Sequence, residues 1–559
     1  MGSLRLSILF SFFSFLLVAK DIRLNTESNH FAITSKSLSE FTFVNHLSEI
    51  NTQKVQRDVD NFVKLIVSGY GENAQRGDAE LPVLEELISI PFGATLAINI
   101  LNQEEQIISL SDYGINNLIL PSQPSFSKSA NINDIPFYFN EFYYSYDGFH
   151  EQDIIKIDTL GSMRGQKLAR ISITPFKYNP ANNTLKVITK LEAKVVFNDI
   201  DLEGHYINKQ KYYSAEFNHL FKNCINHIPI QEKDIITTYP IKYVVIADPA
   251  FQSAIQPLVD WKTRKGFIVV EGYTNDPLVG NTTSSIYTFL KDMYDNATVS
   301  DPAPTYLLIV GDVGQVPSFT GISGSHISDM YYCEFDGGGD FYPEMYYGRF
   351  SAMNVSEVEA QVAKTLKYEQ YTFSNPSFLD EILLVAGVDA AMAPTYGNGQ
   401  INYGTDYYFN SAHGLTIHNY LYGSGTPITS DMPQASAAII ANASDGVGFA
   451  NYTAHCGSSG WSDPSFSTAD IPGLDNDDKF GVFIGNCCQS NKFDEPVCFG
   501  ESMLRSNNKG AVGYIGGSNN TYWNEDYWWA VGSTSNFTAT PTYAGTGLAM
   551  YDCLMHENG

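Results

Sequence analysis

Three segments near the end of the chain decide the fold: residues 448–461 (GFANYTAHCGSSGW), 481–493 (GVFIGNCCQSNKF) and 514–526 (YIGGSNNTYWNED). Each begins as a short continuous apolar run and then turns polar, which is typical of a buried strand of a parallel sheet that ends in a loop. His455 follows the first run, and the pair Cys487 and Cys488 follows the second. Because parallel sheets build ligand crevices at the carboxyl ends of their strands, this stretch predicts a functional site.

The same pattern extends back to Lys242. The runs KYVVIAD, TYLLIVGDV and EILLVAGVD alternate with amphipathic segments, and this alternation predicts βαβ units in a mostly parallel sheet with flanking helices. Asp389 ends the third of these runs. We therefore predict an α/β region with a first subdomain over residues 236–375 and a second over residues 376–559.

The chain before Lys242 has a different pattern. Segments such as KLARISITPFKY and TLKVITKLEAKVVFND alternate apolar and polar residues and predict an all-β region over residues 20–235, whose boundary lies in the polar stretch 231–242. Residues 1–19 combine one arginine, an apolar run and a small residue, as secretory signal peptides do. An uncleaved membrane anchor is the less favoured alternative, because the apolar run is short for a bilayer span.

Composition narrows the class of protein. With 33 basic and 61 acidic residues among 559, the formal net charge is −28, which argues against a nucleic-acid partner and favours cationic ligands or calcium. The length predicts two or more domains. The seven cysteines are odd in number, so at least one thiol is expected to be free.

The residues at the predicted strand ends suit a cysteine hydrolase. Such an enzyme needs a thiolate, a histidine that carries its proton, a carboxylate that orients the histidine, and backbone N–H donors for the oxyanion. Cys488, His455 and Asp389 could supply the first three. Each residue taken alone also fits a structural role, as an inert core thiol, a hydrogen-bonded loop histidine and a turn or capping acid. A zinc site at His455, Cys456, Cys487 and Cys488 is disfavoured, because adjacent ligands do not match the usual spacing.

Several motifs together resemble one family. ANYTAH, IGNCC, CFGE and YIGGSNNTYWNEDYWWAVG, with DMYYCEFDGGGDFYPEMYYGRFSA before them, are similar to the gingipain-type cysteine peptidases of family C25, and within it to the lysine-specific enzymes. The resemblance runs from Lys242 to the end of the chain. It implies a caspase-like α/β fold for this part and makes the preceding β region the propeptide.

The resemblance also assigns roles to single residues. It makes Cys488 the nucleophile, His455 the proton carrier and Asp389 the third member of the catalytic group, and Asp526 the acid that receives a basic P1 side chain. Positions that line the same pocket are Thr453, Asn486, Tyr522 and Trp523. The backbone amides of Cys488 and Cys456 would hold the oxyanion, with Cys456 at a position where the family has glycine.

The implied activity is that of a secreted endopeptidase zymogen that cleaves after lysine in preference to arginine through a thioester. The propeptide would inhibit it until removed, for which Lys233 is a candidate site, and catalysis would need no cofactor. Structural calcium is implied for the acidic loop 334–344 (EFDGGGDFYPE). Neither a nucleic-acid partner nor a membrane span is expected. Two alternatives stay open: a catalytically impaired member that binds basic peptides, and a transpeptidase.

Overall fold

The computed structural model describes residues 20–57, 60–72, 74–228, 241–298, 300–324, 326–337, 339–534 and 536–555. The predicted signal peptide and nearly all of the predicted boundary stretch, with Lys233, lie outside these residues.

The N-terminal region is built from antiparallel strands, as its alternating sequence predicts. They are β1 (Lys20–Arg23), β2 (His30–Lys36), β3 (Glu40–His46), β4 (Glu49–Arg57), β5 (Asp60–Ile66), β6 (Gly71–Glu72), β7 (Pro82–Ile90), β8 (Thr95–Ser109), β9 (Ile155–Met163), β10 (Gln166–Ile173), β11 (Phe176–Asn179) and β12 (Thr184–Asn198). Three sheets form, in the orders β1-β4-β5, β6-β7-β10-β9 and β11-β12-β3-β2, with β8 also paired to β12. Their inward residues share one apolar core.

Short helices complete this region: α1 (Glu141–Tyr144), α2 (Leu202–Lys211) and α3 (Ala215–Phe221). Between β8 and β9 the chain makes a long excursion that reaches the second subdomain. The turn between β9 and β10 contacts the first.

The first α/β subdomain is a four-stranded parallel sheet in the order β14-β13-β15-β18. Its strands are β13 (Lys242–Ala247), β14 (Ile268–Tyr273), β15 (Pro304–Val310) and β18 (Tyr346–Phe350), with a small hairpin of β16 (Phe319–Thr320) and β17 (Ile327–Ser328). The helices are α4 (Gln252–Arg264), α5 (Thr283–Asp295) and α6 (Val355–Glu369). Thr282 and Ser285 form the capping box that begins α5.

The second subdomain is a five-stranded parallel sheet in the order β20-β19-β21-β25-β26. Its strands are β19 (Glu381–Ala386), β20 (Thr416–Tyr420), β21 (Phe449–Thr453), β25 (Val482–Asn486) and β26 (Gly513–Gly516). A small antiparallel sheet of β22 (Cys456–Gly457), β23 (Gly460–Trp461) and β24 (Phe466–Ser467) follows β21. The helices are α7 (Asn398–Tyr407), α8 (Pro427–Ser430), α9 (Met432–Asp445), α10 (Phe499–Arg505), α11 (Trp523–Val531) and α12 (Met550–Met555).

Both parallel sheets are covered on both faces, which explains why their strands are continuous apolar runs. In β19, Leu383 and Val385 enter one core while Ile382 and Leu384 enter the core on the other face. The strand β13 divides its residues between two cores in the same way. Polar side chains that could bind or react with a ligand are therefore expected at the ends of these strands.

Candidate active site

The three candidate catalytic residues lie at one edge of the second sheet. Strands β19, β21 and β25 are neighbours, and their registers align Ala386 with Thr453 and Thr453 with Asn486. Asp389, His455 and Cys488 follow the three aligned ends within two or three residues. The parallel arrangement therefore gathers residues that are far apart in sequence at the same edge.

Asp389 and His455 are in direct contact. The Nε2 atom of His455 lies 2.9 Å from Oδ2 of Asp389. The other carboxylate oxygen, Oδ1, accepts hydrogen bonds from the backbone N–H groups of Ala391 at 2.9 Å and Met392 at 2.8 Å. Burial alone would raise the pKa of Asp389, but the hydrogen bonds from His455, Met392 and Ala391 outweigh it and hold that pKa below its ordinary value.

This contact determines the form of the imidazole. An ionised carboxylate only accepts hydrogen bonds, so Nε2 of His455 carries a proton and Nδ1 is the nitrogen left to exchange protons with a substrate or thiol. The Trp523 ring meets the imidazole edge-on, with the ring centroids 5.6 Å apart. Asp389 and Trp523 together fix the orientation of His455.

Cys488 is a free, buried thiol. Its Sγ atom accepts a hydrogen bond from the backbone N–H of Thr521 at 3.4 Å. In the part of the chain that the structure describes, no hydrogen bond joins this thiol to His455. Catalytic contacts are often long before a substrate binds, so the absence of this bond is compatible with a thiol and an imidazole that act together on a bound peptide.

A lysine of the N-terminal region occupies the pocket predicted for a basic side chain. The Nζ atom of Lys128 lies 2.7 Å from Oδ2 of Asp526 and donates hydrogen bonds to the Asn486 carbonyl at 2.7 Å and to Thr453 Oγ1 at 3.2 Å. It also lies 4.8 Å from the centre of the Trp523 ring. Lys128 is only 1% exposed, so the pocket encloses it completely.

Tyr522 contacts the segment that carries Lys128 through its backbone. It forms an isolated antiparallel bridge with Ser127, while the N–H of Lys128 donates to the Thr521 carbonyl at 2.9 Å. Ala130 N–H donates to the Ser127 carbonyl at 2.9 Å, which closes a turn directly after the buried lysine. The segment therefore enters the site extended and turns at Lys128.

The position of Asp526 suits a carboxylate that receives a cation. It lies in the first turn of α11, where the helix dipole favours a negative group, and it is 8% exposed. The side-chain amide of Asn486 donates to the Asp526 carbonyl at 2.9 Å and to Gln400 Oε1 at 2.9 Å. These bonds hold Asn486 and Asp526 next to each other, and the lysine is received by the backbone carbonyl of Asn486 and the carboxylate of Asp526.

Cys456 and Cys487 form a disulfide, which the sequence analysis did not predict. It joins the residue after His455 to the residue before Cys488. Neither cysteine is free to bind zinc, and among the described residues no group of three or more His, Cys, Asp or Glu side chains is arranged to hold a metal ion. The backbone of Cys456 stays compatible with its predicted oxyanion role. Ser462 N–H donates to the His455 carbonyl, so by the alternation of antiparallel ladders the next N–H, that of Cys456, faces away from β23.

The acidic loop 334–344 is packed against the N-terminal region. Glu344 is fully buried, and its Oε1 atom has no hydrogen-bond partner. Burial and the neighbouring Asp336 raise the pKa of Glu344 to about 9. Calcium takes about six to eight oxygen ligands, and this loop brings two carboxyl groups, joined by a hydrogen bond, to such a set. Glu344 and Asp336 are the residues that would hold it.

Comparison with known proteins decides the family. A model described as peptidase family C25 matches residues 236–551, and one described as the C25 propeptide matches residues 26–213. The chain belongs to peptidase family C25. The predicted family and α/β fold are confirmed, and the N-terminal β region is the part that corresponds to the C25 propeptide.

Individual C25 relatives give the degree of similarity. The chain is 34% identical over 545 residues to Lys-gingipain of Porphyromonas gingivalis, an alignment that covers 96% of this chain and 30% of that protein. Gingipain R2 of the same organism is 24% identical over 449 residues, covering 78% of this chain and 57% of that protein. A solved structure described as a protease has a TM-score of 0.53 and 37% identity, covering 57% of this chain and 68% of its own. The chain thus spans under a third of the length of Lys-gingipain.

Two features of this C25 site were not evident in the sequence. Lys128 lies in an ordinary serine-rich segment, SFSKSAN, and only the prediction of a basic-specific pocket together with an inhibitory propeptide would have directed attention to such a residue. The Cys456–Cys487 disulfide could be predicted only with the knowledge that β21 and β25 are neighbours in the sheet.

Proposed function

We propose that this C25 chain is the zymogen of a secreted cysteine endopeptidase that cleaves after lysine, with arginine as the second choice. The observation that supports it best is Lys128, which is held by the buried carboxylate of Asp526 beside the candidate nucleophile. An ammonium group satisfies this pocket with one ion pair and two hydrogen bonds. The family membership supports the reaction type, and the greater similarity to Lys-gingipain than to Gingipain R2 supports lysine. No helix among the described residues has the length and apolarity to cross a bilayer.

The chemistry proposed is acyl transfer through a thioester. Cys488 passes its proton to Nδ1 of His455, and the thiolate attacks the carbonyl carbon of the residue bound by Asp526. Backbone N–H groups of Cys488 and Cys456 stabilise the oxyanion, and His455 delivers a proton to the amine that leaves. Water then attacks the thioester, with His455 as the base, and restores the Cys488 thiol. Asp389 keeps the imidazole in the required form throughout.

The propeptide is proposed to inhibit the enzyme by presenting Lys128 as a pseudosubstrate. The turn closed between Ser127 and Ala130 bends the chain away directly after the lysine, so the next residues do not continue extended through the site. Activation would require cleavage between the two regions, for which Lys233 is the proposed position. That residue lies outside the described part of the chain.

Catalysis is proposed to need no cofactor, and calcium is proposed to have a structural role at the loop 334–344. Bound calcium would replace the proton that the raised pKa of Glu344 keeps on the pair formed with Asp336. Chelation should then lower the melting temperature of the zymogen, and added calcium should restore it. If neither treatment moves the melting temperature, the loop holds no calcium.

The activity is tested by expressing the full chain, activating it by limited proteolysis and measuring hydrolysis of peptides with lysine, arginine or aspartate at P1. We expect turnover in the order lysine, arginine, with none after aspartate, and no turnover by Cys488→Ala. Absence of turnover for every peptide, with tight binding of lysine peptides retained, would favour the impaired binder. Products joined to an added amine, in place of hydrolysed ones, would favour the transpeptidase.

A further inference from the structure

A disulfide connects the two segments that carry the histidine and the nucleophile. Cys456 directly follows His455, and Cys487 directly precedes Cys488. The Cα atoms of the joined cysteines are 5.4 Å apart. The bond is thus one residue away from each of the two groups that must act together.

The disulfide lies beyond the last paired residues of the sheet, where sheet hydrogen bonds no longer hold the segments that carry His455 and Cys488. The pairing of β21 with β25 ends at Thr453 and Asn486, and beyond that pair the two chains leave the sheet. On the nucleophile side the turn is unusual: Cys487 N–H donates to the Gly485 carbonyl at 2.8 Å, and Gln489 has a positive φ of 56°. A non-glycine residue with positive φ persists only when its surroundings enforce it.

The disulfide and the nucleophile face different surroundings. Cys487 is completely buried in the core that contains Tyr452 and Trp461, and Cys456 packs against the same core. The Cys488 sulfur instead receives the N–H of Thr521. The bond therefore anchors the turn in the core while the nucleophile stays directed at the cleft.

We propose that the Cys456–Cys487 disulfide positions His455 and Cys488 for catalysis, so that the enzyme is active only when this pair is oxidised and Cys488 is reduced. The inference rests on the proposed cysteine peptidase activity. It makes Cys456 and Cys487 positioning residues, because neither side chain needs to touch the substrate. Neither cysteine side chain lines the Asp526 pocket, and Asn486, whose carbonyl does, is held by its pairing with Thr453, so substrate binding should depend on the bond much less than catalysis does.

The exposure of the two cysteines indicates how a dithiol such as dithiothreitol would reduce the bond. Cys487 is fully buried and Cys456 is partly accessible, so the attacking thiolate forms a mixed disulfide with Cys456 and releases Cys487 as a thiolate, which takes up a proton. The second thiol of the reagent then closes its ring and releases Cys456. The dithiol is oxidised by two electrons, and the protein disulfide becomes two thiols.

The first test compares activated full-chain enzymes: wild type, Cys456→Ala/Cys487→Ala, and Cys498→Ala as the matched control. Cys498 is a buried free thiol of the same subdomain outside the site. With a lysine P1 peptide, well below each melting temperature, we expect kcat of the double variant to fall about 100-fold, as small misplacements of reacting groups do. KM should stay within about twofold, because the pocket is unchanged. The control should keep the wild-type kcat.

The pH dependence separates positioning from simple stabilisation. A displaced imidazole transfers the proton less efficiently at every pH, so the whole kcat/KM profile of the double variant should be lowered. A role in stability alone would lower the melting temperature and leave kcat and the profile in place. That result would overturn the proposal.

A second measurement covers the case in which the double variant does not fold. Folded wild-type enzyme is treated with increasing dithiothreitol, and the rate is followed beside the alkylation of Cys456 and Cys487 by mass spectrometry. We expect activity to fall in step with alkylation of the pair and to recover on reoxidation. Constant activity with both cysteines alkylated would refute the positioning role of the disulfide but would not contradict the proposed peptidase activity. An enzyme inactive at every dithiol concentration would refute the proposed function itself.

Discussion

Asp389 combines two tasks that its hydrogen bonds make possible. Two backbone N–H groups hold one carboxylate oxygen, and the other faces His455. In Asp389→Asn the oxygen can keep the backbone bonds, but the amide nitrogen then faces Nε2 and forces the proton onto Nδ1. We expect kcat to fall by about 10²–10⁴-fold with KM little changed, measured with a lysine P1 peptide. An unchanged kcat would contradict its role.

The pKa of Asp389 also predicts a pH range. Because hydrogen bonds lower this pKa in the folded protein, the carboxylate stabilises the fold at all pH values above its unfolded pKa, about 3.9, and the contribution is lost as pH falls through the folded pKa. A loss of activity between pH 5 and 7 would therefore arise from other groups. We expect that limb to survive in Asp389→Asn, at a lower rate, in a pH–rate profile.

Asp526 has a neighbouring carboxylate that serves as a control. Asp526→Asn removes the charge from the pocket, while Glu525→Gln removes an exposed charge that accepts a hydrogen bond from Ser125. Truncating one member of a buried ion pair costs about 2–5 kcal/mol, so kcat/KM for lysine peptides should fall by about 30-fold or more in Asp526→Asn. Glu525→Gln should keep the preference. Equal losses in both variants would contradict a specific pocket.

At the level of elements, the sequence predicts where the strands end, but it predicts only in part which of these ends are neighbours in the sheet. Apolar runs ending in polar residues identified β19, β21 and β25, because both faces of a parallel sheet are buried. The order of the strands is a tertiary property, and it alone makes Cys456 and Cys487 neighbours. Lys128 could not be distinguished from other lysines, since its environment is formed by residues more than 300 positions away. Its role became visible only in the folded chain.

Helix α6 carries a buried lysine that links the two subdomains. Nζ of Lys364 donates to the carbonyls of Met503 and Lys509, both at 3.0 Å, and burial lowers the pKa of Lys364 to about 7. The folded protein thus binds fewer protons here than the unfolded chain between about pH 7 and 10.4, so stability rises with pH across that range.

Replacing this lysine should remove the pH dependence. From pH 7 to 9.5 we expect the unfolding free energy of wild type to gain on the order of 3 kcal/mol relative to Lys364→Met, measured by denaturant unfolding. Lys367→Met, on the same helix but in a more exposed ion pair with Asp478, is the control and should follow the wild-type slope. Parallel slopes in all three proteins would show that Lys364 titrates normally.

For the whole molecule, two buried cations among the described residues dock the N-terminal region onto the two subdomains. Lys128 fills the pocket of the second, and Arg164 enters the first from the β9–β10 turn, where Arg164 and Gly165 have φ of 52° and 69°. Arg164 is 2% exposed, and its guanidinium donates to the carbonyls of Pro304 at 2.6 Å and Glu344 at 3.0 Å. Blocking the cleft and retaining the propeptide are therefore tasks of different residues.

Variants at the two positions should behave differently after cleavage between the regions. Lys128→Ala opens the pocket but leaves Arg164 in place, so we expect a small alkylating reagent to reach Cys488 while the propeptide still co-elutes with the catalytic region. Arg164→Ala orphans buried carbonyls at about 1–3 kcal/mol each, so the propeptide should dissociate about 100-fold more readily on dilution while Cys488 stays shielded at high concentration. Lys167→Ala, an exposed site on the same hairpin, should match wild type in both assays. If Lys128→Ala releases the propeptide and Arg164→Ala does not, the pocket lysine is the retaining contact and the hairpin only packs against the surface.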